Sequence, residues 1–425
     1  MNPTDQLNLK IGLDGISCTD FATVNDKTIL AIGTCNGRIR IFDYMNPIKA
    51  LIQKRWHKTI RCLSFFPKTP NLLVSASSQS GLKIHDIISE KQTWCCFQAH
   101  EKSPISSVLI LEHGQWVTGD ENGIIKIWDA RKSGSVSVMT PNVENKFDDF
   151  FNSINEMTVS SNDSHGTLLA AIDDGTLAVY NIRRRRFEMS SETLGFSART
   201  LTVVKNNTKV LVGTDEGVIS VFNWNEFGNI CDRFPIHPLR PSKQGQARTA
   251  VSGGNSVEKI IKITEDIVAV GTDDGVISAM HILPNRLLGC IGCHIDTMKD
   301  NNISGADCLS LSIDPMKNII ASSCPTSGSI KFWNTSKFIE HAKHVTVELR
   351  LPKHQRKLST TKLKGVKSRR LCLTNINERM EYLDGLLPPE KKSTLSSSSA
   401  SSSSLNSDSE NSLSSNDNSS DDNEV

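Results

Sequence analysis

The sequence predicts an all-β chain, a seven-bladed β-propeller followed by a disordered C-terminal tail. Two observations carry this. A short phrase recurs seven times: small residues, an acidic or polar residue, Gly, then alternating apolar residues ending in an aromatic. Its turn glycines are Gly37, Gly81, Gly123, Gly175, Gly217, Gly275 and Gly328, spaced 44, 42, 52, 42, 58 and 53 residues apart. Repeats of about 40–45 residues supply one four-stranded blade each. Beyond Trp333 the phrase stops and the composition turns first basic, then Ser- and acid-rich.

The phrase is physically suited to a blade. Asn-Gly and Asp-Gly tolerate positive φ, which suits a type I′ turn between twisted strands. In the sharpest copy, Gly119–Asp129, Ile125 and Ile127 face one way while Lys126 and Trp128 face the other. This copy ends in Trp-Asp, the mark of the WD type of repeat. β-rich runs such as Ile29–Ile32, Val210–Val212 and Ile267–Val270 precede the turns. One such blade cannot bury both faces, whereas seven in a ring bury each against its neighbours.

Taken in order, the innermost strands fall at Ile16–Phe21, Ile60–Phe66, Ile105–Leu111, Ile154–Val159, Thr200–Val204, Val257–Ile263 and Cys308–Ile313. Ala50–Lys54 ends blade one. His57 and His100 stand just before blades two and three, where a framework histidine hydrogen-bonds within the blade; blades four to seven are read as lacking it. Insertions lengthen the approach to blade four (Phe147–Ser153) and to blade six (Pro238–Asn255), the second a surface loop. Either Leu7–Ile11 or His344–Leu351 alternates well enough to be the outer strand that latches the ring. The resulting organisation is a propeller over 1–350, a basic linker over 351–392 and a disordered tail over 393–425.

Composition sets limits on function. With 37% hydrophobic residues among 425, the chain can build one large core, and no run approaches ~20 apolar residues, so no membrane span is expected. Met1–Lys10 is polar and does not read as a secretory leader. The 11 cysteines follow no framework spacing, which suits free thiols in a reducing compartment. Cys290-Ile291-Gly292-Cys293-His294 matches the C-x-x-C-H pattern of haem attachment. It falls on the expected outer strand of blade six, so these cysteines, like Cys95 and Cys96, are read as structural. No P-loop, dinucleotide fingerprint, metalloprotease spacing or nucleophile elbow is present, and neither catalysis nor a cofactor is expected.

Three stretches depart from the generic repeat. They are Asn181-Ile182-Arg183-Arg184-Arg185-Arg186-Phe187-Glu188; Phe222-Asn223-Trp224-Asn225-Glu226-Phe227-Gly228 with Asp232-Arg233-Phe234; and His281-Ile282-Leu283-Pro284-Asn285-Arg286-Leu287-Leu288-Gly289. In that order and spacing the chain resembles the WD repeat protein 55 family over about residues 10 to 335. The resemblance implies a non-catalytic protein of the nucleus and nucleolus, needed for ribosome biogenesis and pre-rRNA processing. Its implied partners are pre-ribosomal assembly factors and pre-rRNA, with the chain a monomer inside a larger complex.

All three stretches occupy turns between third and outer strands, which emerge on one face of a propeller. Arg131 and Lys132 hold the equivalent turn of blade three. The expected partner-binding surface therefore carries Arg131, Lys132, Arg183, Arg184, Arg185, Arg186, Trp224, Phe227 and Arg286, facing rRNA phosphates or an acidic segment. The bland alternative makes these solvated turn residues, with Trp224 and Phe227 packed between blades. A competing constellation is Trp128-Asp129-Ala130-Arg131, which resembles the box that docks WD-repeat receptors on the adaptor of cullin-4 ubiquitin ligases. Only one good copy exists, since Phe42-Asp43-Tyr44 and Trp333-Asn334-Thr335 lack the Arg.

The net charge of +2 hides a dipolar end. Lys353, Arg356, Lys357, Lys362, Lys364, Lys367, Arg369 and Arg370 form an acid-free basic run suited to nuclear targeting and loose RNA binding. Glu381–Leu387 is a short apolar island. From Ser393 to Val425 no basic residue occurs, and Ser407, Ser414 and Ser419 each have an acid three places on, a pattern for acidophilic phosphorylation.

Overall fold

Alternation within the second strand of each repeat sets the architecture. In Thr167–Ile172 every residue is buried; Leu169 and Ala171 pack to one side, and Leu168, Ala170 and Ile172 to the other. A strand dry on both faces needs a neighbour on each, and a ring provides that for every blade. This computed structural model describes residues between Asn8 and Glu340, apart from 11–13, 46–49, 102, 113, 133, 141–152, 161–165, 237–254, 295–309, 317, 326–327 and 337.

Seven four-stranded antiparallel sheets follow one another in chain order. Blade one runs Ile16–Val24, Lys27–Thr34, Arg38–Asp43, Ala50–Arg55, and blade two Cys62–Phe66, Thr69–Ala76, Leu82–Asp86, Lys91–Cys96. Blade three comprises Ile105–Ile110, Gln115–Asp120, Ile125–Asp129 and Ser135–Met139; blade four Ile154–Val159, Thr167–Ile172, Leu177–Asn181 and Arg186–Ser190. Blade five holds Ala198–Val204, Lys209–Thr214, Val218–Asn223 and Asp232–Pro235; blade six Val257–Lys262, Ile267–Thr272, Val276–His281 and Arg286–Cys293. Blade seven holds Ser310–Ile313, Ile319–Cys324 and Ser329–Asn334. Each innermost strand contacts the next, and that of blade one meets that of blade seven.

Seven hydrophobic clusters sit one to each junction between blades. Leu30 and Ile32 join Ala321, Ile330 and Phe332 between blades one and seven, whereas Ile29 and Ala31 join Leu63 and Phe65 between blades one and two. Each fully buried Leu or Ile contributes about 1.5–3 kcal/mol, so these junctions outweigh any single turn. The expected division of Ile125 and Ile127 from Trp128 holds: the isoleucines pack towards blade four and the indole towards blade two.

The latch is the N-terminal strand. Asn8, Leu9 and Lys10 pair antiparallel with Lys331, Ile330 and Ser329, which makes Asn8–Lys10 the outer strand of blade seven. The competing segment, 344–351, lies outside the described residues, as do 351–425 and almost all of the two insertions.

The turns correct two expectations. Asn36, Asn122, Asp174, Glu216 and Asp274 do not adopt positive φ; only the following glycine does, at φ 81, 78, 81, 71 and 76. The amide of Gly37 bonds to Thr34 O at 3.0 Å, and Gly123, Gly175, Gly217 and Gly275 repeat the bond. These are three-residue loops, a type I turn closed by a left-handed residue, rather than type I′ turns. The type I′ signature belongs instead to Asn25 and Asp26, φ 49 and 60, between the first two strands. Blade two is shifted by one residue: Ser80, not Gly81, takes the left-handed position at φ 60. A Cβ on Gly37 would lie 1.9 Å from His57 O, because the turn abuts the strand leading to the next blade.

Candidate protein-interaction face

What makes the ring rigid enough to present a face is a polar framework in three blades. In blade three the buried His100 is 3.0 Å from Asp120 through Nδ1 and 2.6 Å from Thr118 Oγ1 through Nε2. Trp128 Nε1 donates to the same hydroxyl at 2.7 Å, and Asp120 Oδ1 accepts the turn amides of Asn122 and Ile124. In blade two His57 and His85 meet at Ser75 Oγ, 2.8 and 2.9 Å away, so His85 stands where Trp128 stands. Burial, followed by the nearby Lys83 ammonium, pushes the His57 imidazole down to about 4. For His85 burial and then His57 push it to about 3, so both rings are neutral acceptors or donors rather than cations.

Blade seven carries the third framework, against the expectation that blades four to seven lack it. His294 Nε2 meets Ser322 Oγ at 2.6 Å, and Trp333 Nε1 donates to that hydroxyl at 2.7 Å. Burial and then Lys331 lower the ring to about 4. His294 escapes the repeat pattern because it ends the Cys290–His294 run and is separated from its blade by 295–309. A second lysine signal identifies it: Lys83, Lys126 and Lys331, each two residues before the framework His or Trp, donate to the carbonyls of Trp56, Ala99 and Cys293. Those carbonyls immediately precede His57, His100 and His294. Gly292 lies against the Trp333 ring, where a Cβ would approach within 2.1 Å. The C-x-x-C-H run is thus strand packing, its histidine 2% exposed and engaged.

The turns between third and outer strands leave the ring on one face, opposite the glycine turns. Their exposed residues differ by blade. After the last Asp of the third strand, the equivalent position is Met45 in blade one, Ile88 in blade two and Arg131 in blade three, each donating its amide to Asp43, Asp86 or Asp129 at 3.0 Å. The Arg131 side chain folds back on Asp129, with Nε and Nη2 at 2.8 and 2.6 Å from the two carboxylate oxygens. That side-chain bonding holds the Asp129 carboxyl well below its ordinary range. Lys132 is exposed beside it, its carbonyl accepting Trp94 Nε1 at 3.2 Å.

Arg183, Arg184, Arg185 and Arg186 are all exposed in the turn of blade four, and Arg186 begins its outer strand. Arg286 is exposed in blade six, beyond a cis Leu283–Pro284 bond. Of the two aromatics expected beside them, Phe227 is buried and Trp224 is partly buried. Phe227 is 5% exposed within the blade four–five cluster, and Trp224 packs edge-on against it at 5.3 Å. Their stretch folds over blade four, where Glu192 N bonds to Gly228 O and Ile230 N to Glu192 Oε1. Among the described residues this face thus exposes the arginines fully and Trp224 only in part. Between the outer strands of blades three and four lies an open groove of about 500 Å³, its blade-four wall formed by Arg185, Arg186, Phe187 and Glu188, so that two arginines and an acid share it. The central channel is crossed by Lys259, whose Nζ is 2.5 Å from Glu156 two blades away. The basic run over 353–370 and Ser407, Ser414 and Ser419 lie outside the described residues.

Comparison with known proteins fits this geometry. Residues 40–238 match the family described as Nucleolar protein 10-like, N-terminal domain. A WD repeat-containing protein 55 from Bos taurus is 30% identical over 319 residues, 72% of this chain and 72% of the relative. The chain belongs to the WD repeat-containing protein 55 family. A member from Mus musculus is 32% identical over 272 residues, 63% of each chain, and a homolog from Aedes aegypti is 29% identical over 327 residues, 76% of this chain and 61% of its own. The chain thus spans somewhat under two thirds of the mouse member's length. Within the family's propeller, the departures at 181–188, 222–234 and 281–289 divide in two. The first supplies exposed charge, while much of the second is inter-blade packing.

Proposed function

We propose that this chain is a non-catalytic scaffold of ribosome biogenesis, resident in the nucleolus, that supports pre-rRNA processing by holding assembly factors against its propeller. Family membership carries the reading, together with the word nucleolar in the matched family's description. The exposed Arg183–Arg186 turn supports it, because of these four consecutive arginines only Arg184 is paired with an acid, Glu188 at 3.7 Å, among the described residues. An arginine fork suits bidentate carboxylate or phosphate contact. Replacing Arg184, Arg185 and Arg186 by Glu tests this: co-sedimentation with pre-ribosomal particles should fall while the melting temperature stays put. Unchanged co-sedimentation overturns the proposal. The alternative, adaptor docking in a cullin-4 ligase, depends on Arg131 and separates cleanly, since adaptor recovery in a pull-down would then be abolished by Arg131→Ala.

A further inference from the structure

We propose that Asn122 is a modification site, a position of spontaneous deamidation at which the Asn122-Gly123 peptide converts to aspartyl and isoaspartyl forms and loosens blade three. The inference goes beyond the preceding reading and does not depend on it.

Five described positions place Asn or Asp directly before a glycine of positive φ: Asp14-Gly15, Asn36-Gly37, Asn122-Gly123, Asp174-Gly175 and Asp274-Gly275. In four of them the side chain is tied down. Asp14 pairs with Arg40 at 2.6 Å, and Asn36 Oδ1 accepts Thr34 Oγ1 at 2.7 Å. Asp174 Oδ1 accepts Thr176 N at 2.8 Å, and Asp274 Oδ1 accepts Val276 N at 3.2 Å. Blade three differs because the residue two before the asparagine is Asp120 rather than a threonine. Its carboxylate takes the backbone amides of Asn122 and Ile124 and offers the side chain no hydroxyl. The exposed Asn122 carboxamide therefore has no hydrogen-bond partner among the described residues.

Gly123 supplies the nucleophile. Having no Cβ, it lets the carboxamide of the preceding residue approach its nitrogen. That amide is held only by a 3.3 Å bond to Asp120 O, against 3.0 Å for Gly37 on Thr34 O. The Gly123 nitrogen attacks Asn122 Cγ, its proton passing to a base in solution. An N–Cγ bond forms, the Cγ–Nδ2 bond breaks and ammonia leaves, so a cyclic succinimide remains. Water then opens the ring, at the side-chain carbonyl to give Asp or at the main-chain carbonyl to give isoaspartate. Nothing is oxidised or reduced.

Both products disturb the blade. Each adds a carboxylate next to Glu121, which links to Arg61 of blade two, and close to Asp120. The isoaspartyl form also routes the backbone through Cβ and Cγ, which adds a methylene between the two amides that share Asp120 Oδ1. One of those bonds, 3.0 and 2.7 Å, is then lost. The same carboxylate holds His100 Nδ1 at 3.0 Å, so the lesion reaches the buried framework.

The test ages the full chain in mildly alkaline buffer and follows Asn, Asp and isoaspartate at 36 and 122 by peptide mapping. Asn122 should convert about fivefold faster than Asn36 or more, the factor that one side-chain hydrogen bond supplies. Thr34→Val removes that bond and should bring Asn36 up to the rate of Asn122 in the same sample, whereas Thr34→Ser should leave it slow. On ageing, the melting temperature of the wild-type chain should fall while that of Asn122→Ser holds. Three results overturn the proposal: equal conversion of Asn36 and Asn122 in the wild-type chain, an Asn36 rate indifferent to Thr34→Val, or an equal loss of melting temperature in wild type and Asn122→Ser.

Discussion

His294 Nε2 and Ser322 Oγ lie 2.6 Å apart, joining the last residues of blade six to the second strand of blade seven. The hydroxyl also takes the Trp333 indole N–H, and Lys331 fixes the carbonyl just before the histidine. The buried Ser322 hydroxyl therefore depends on the imidazole for one of its two bonds, while the indole depends on the hydroxyl. Removing the imidazole leaves the hydroxyl short of a partner, at about 1–3 kcal/mol. His294→Ala should lower the denaturation midpoint by that amount, while Cys290→Ala/Cys293→Ala, which touches half-buried thiols only, should cost about 1 kcal/mol or less. Chemical unfolding curves compare them; a cysteine variant that costs more than the histidine variant contradicts this assignment.

Acid should loosen the ring. The His57, His85 and His294 values of about 4, 3 and 4 lie below the ordinary 6.5, so the unfolded chain binds protons first as pH falls. Their stabilisation is intact above 6.5 and is lost as pH falls from there towards 4. Asp20 works the other way: burial raises its carboxyl to about 6 from 3.8, so its contribution is present below 3.8 and lost as pH rises through 6. Three histidines outweigh one carboxyl. The melting temperature should drop by roughly 5 °C or more between pH 7 and pH 4.5, and a flat profile would rule this out.

Ser80 is a place where the chain tolerates strain. It holds φ 60, is 1% exposed and leaves its buried hydroxyl unpaired. Ser80→Gly relieves both and should stabilise by about 1 kcal/mol. Gly37→Ala is the converse, since its Cβ would collide with His57 O, and should cost about 3 kcal/mol or more or prevent folding. Differential scanning calorimetry of the pair decides; destabilisation by Ser80→Gly would refute the turn assignment.

The Glu156–Lys259 link spans two blades and is partly shielded, with 18% and 31% of the side chains exposed. Glu156 also accepts Thr200 Oγ1 and Leu201 N. A double-mutant cycle on Glu156→Gln and Lys259→Met should give a coupling of about 1 kcal/mol. Additive effects would mean that the channel charges act independently.

The ring itself was legible because alternation and a glycine turn recur in every blade; strands such as Ile154–Val159 match their expected bounds. His294 was hidden by an intervening segment that breaks the spacing, although Lys331-Phe332-Trp333 repeats the Lys126-Ile127-Trp128 pattern and marks it. Gly81 misled because the eye follows glycine, while the left-handed position one residue earlier is filled by Ser80. Phe227 was open for a different reason: an aromatic in a turn reads equally well as a contact residue or as packing between blades, and its place in the cluster between blades four and five is the second of these.

The N-terminal latch puts the two ends of one seam at opposite ends of synthesis. Residues 8–10 are made before every blade, yet their partners at 329–331 come more than 300 residues later. At about 5–20 residues per second, that is roughly 15–65 s of waiting. Throughout it, the flank of blade one formed by Ile16, Leu30 and Ile32 has no Ala321, Ile330 or Phe332 to cover it. The nascent protein is thus an open arc with an uncovered apolar flank until its last blade arrives.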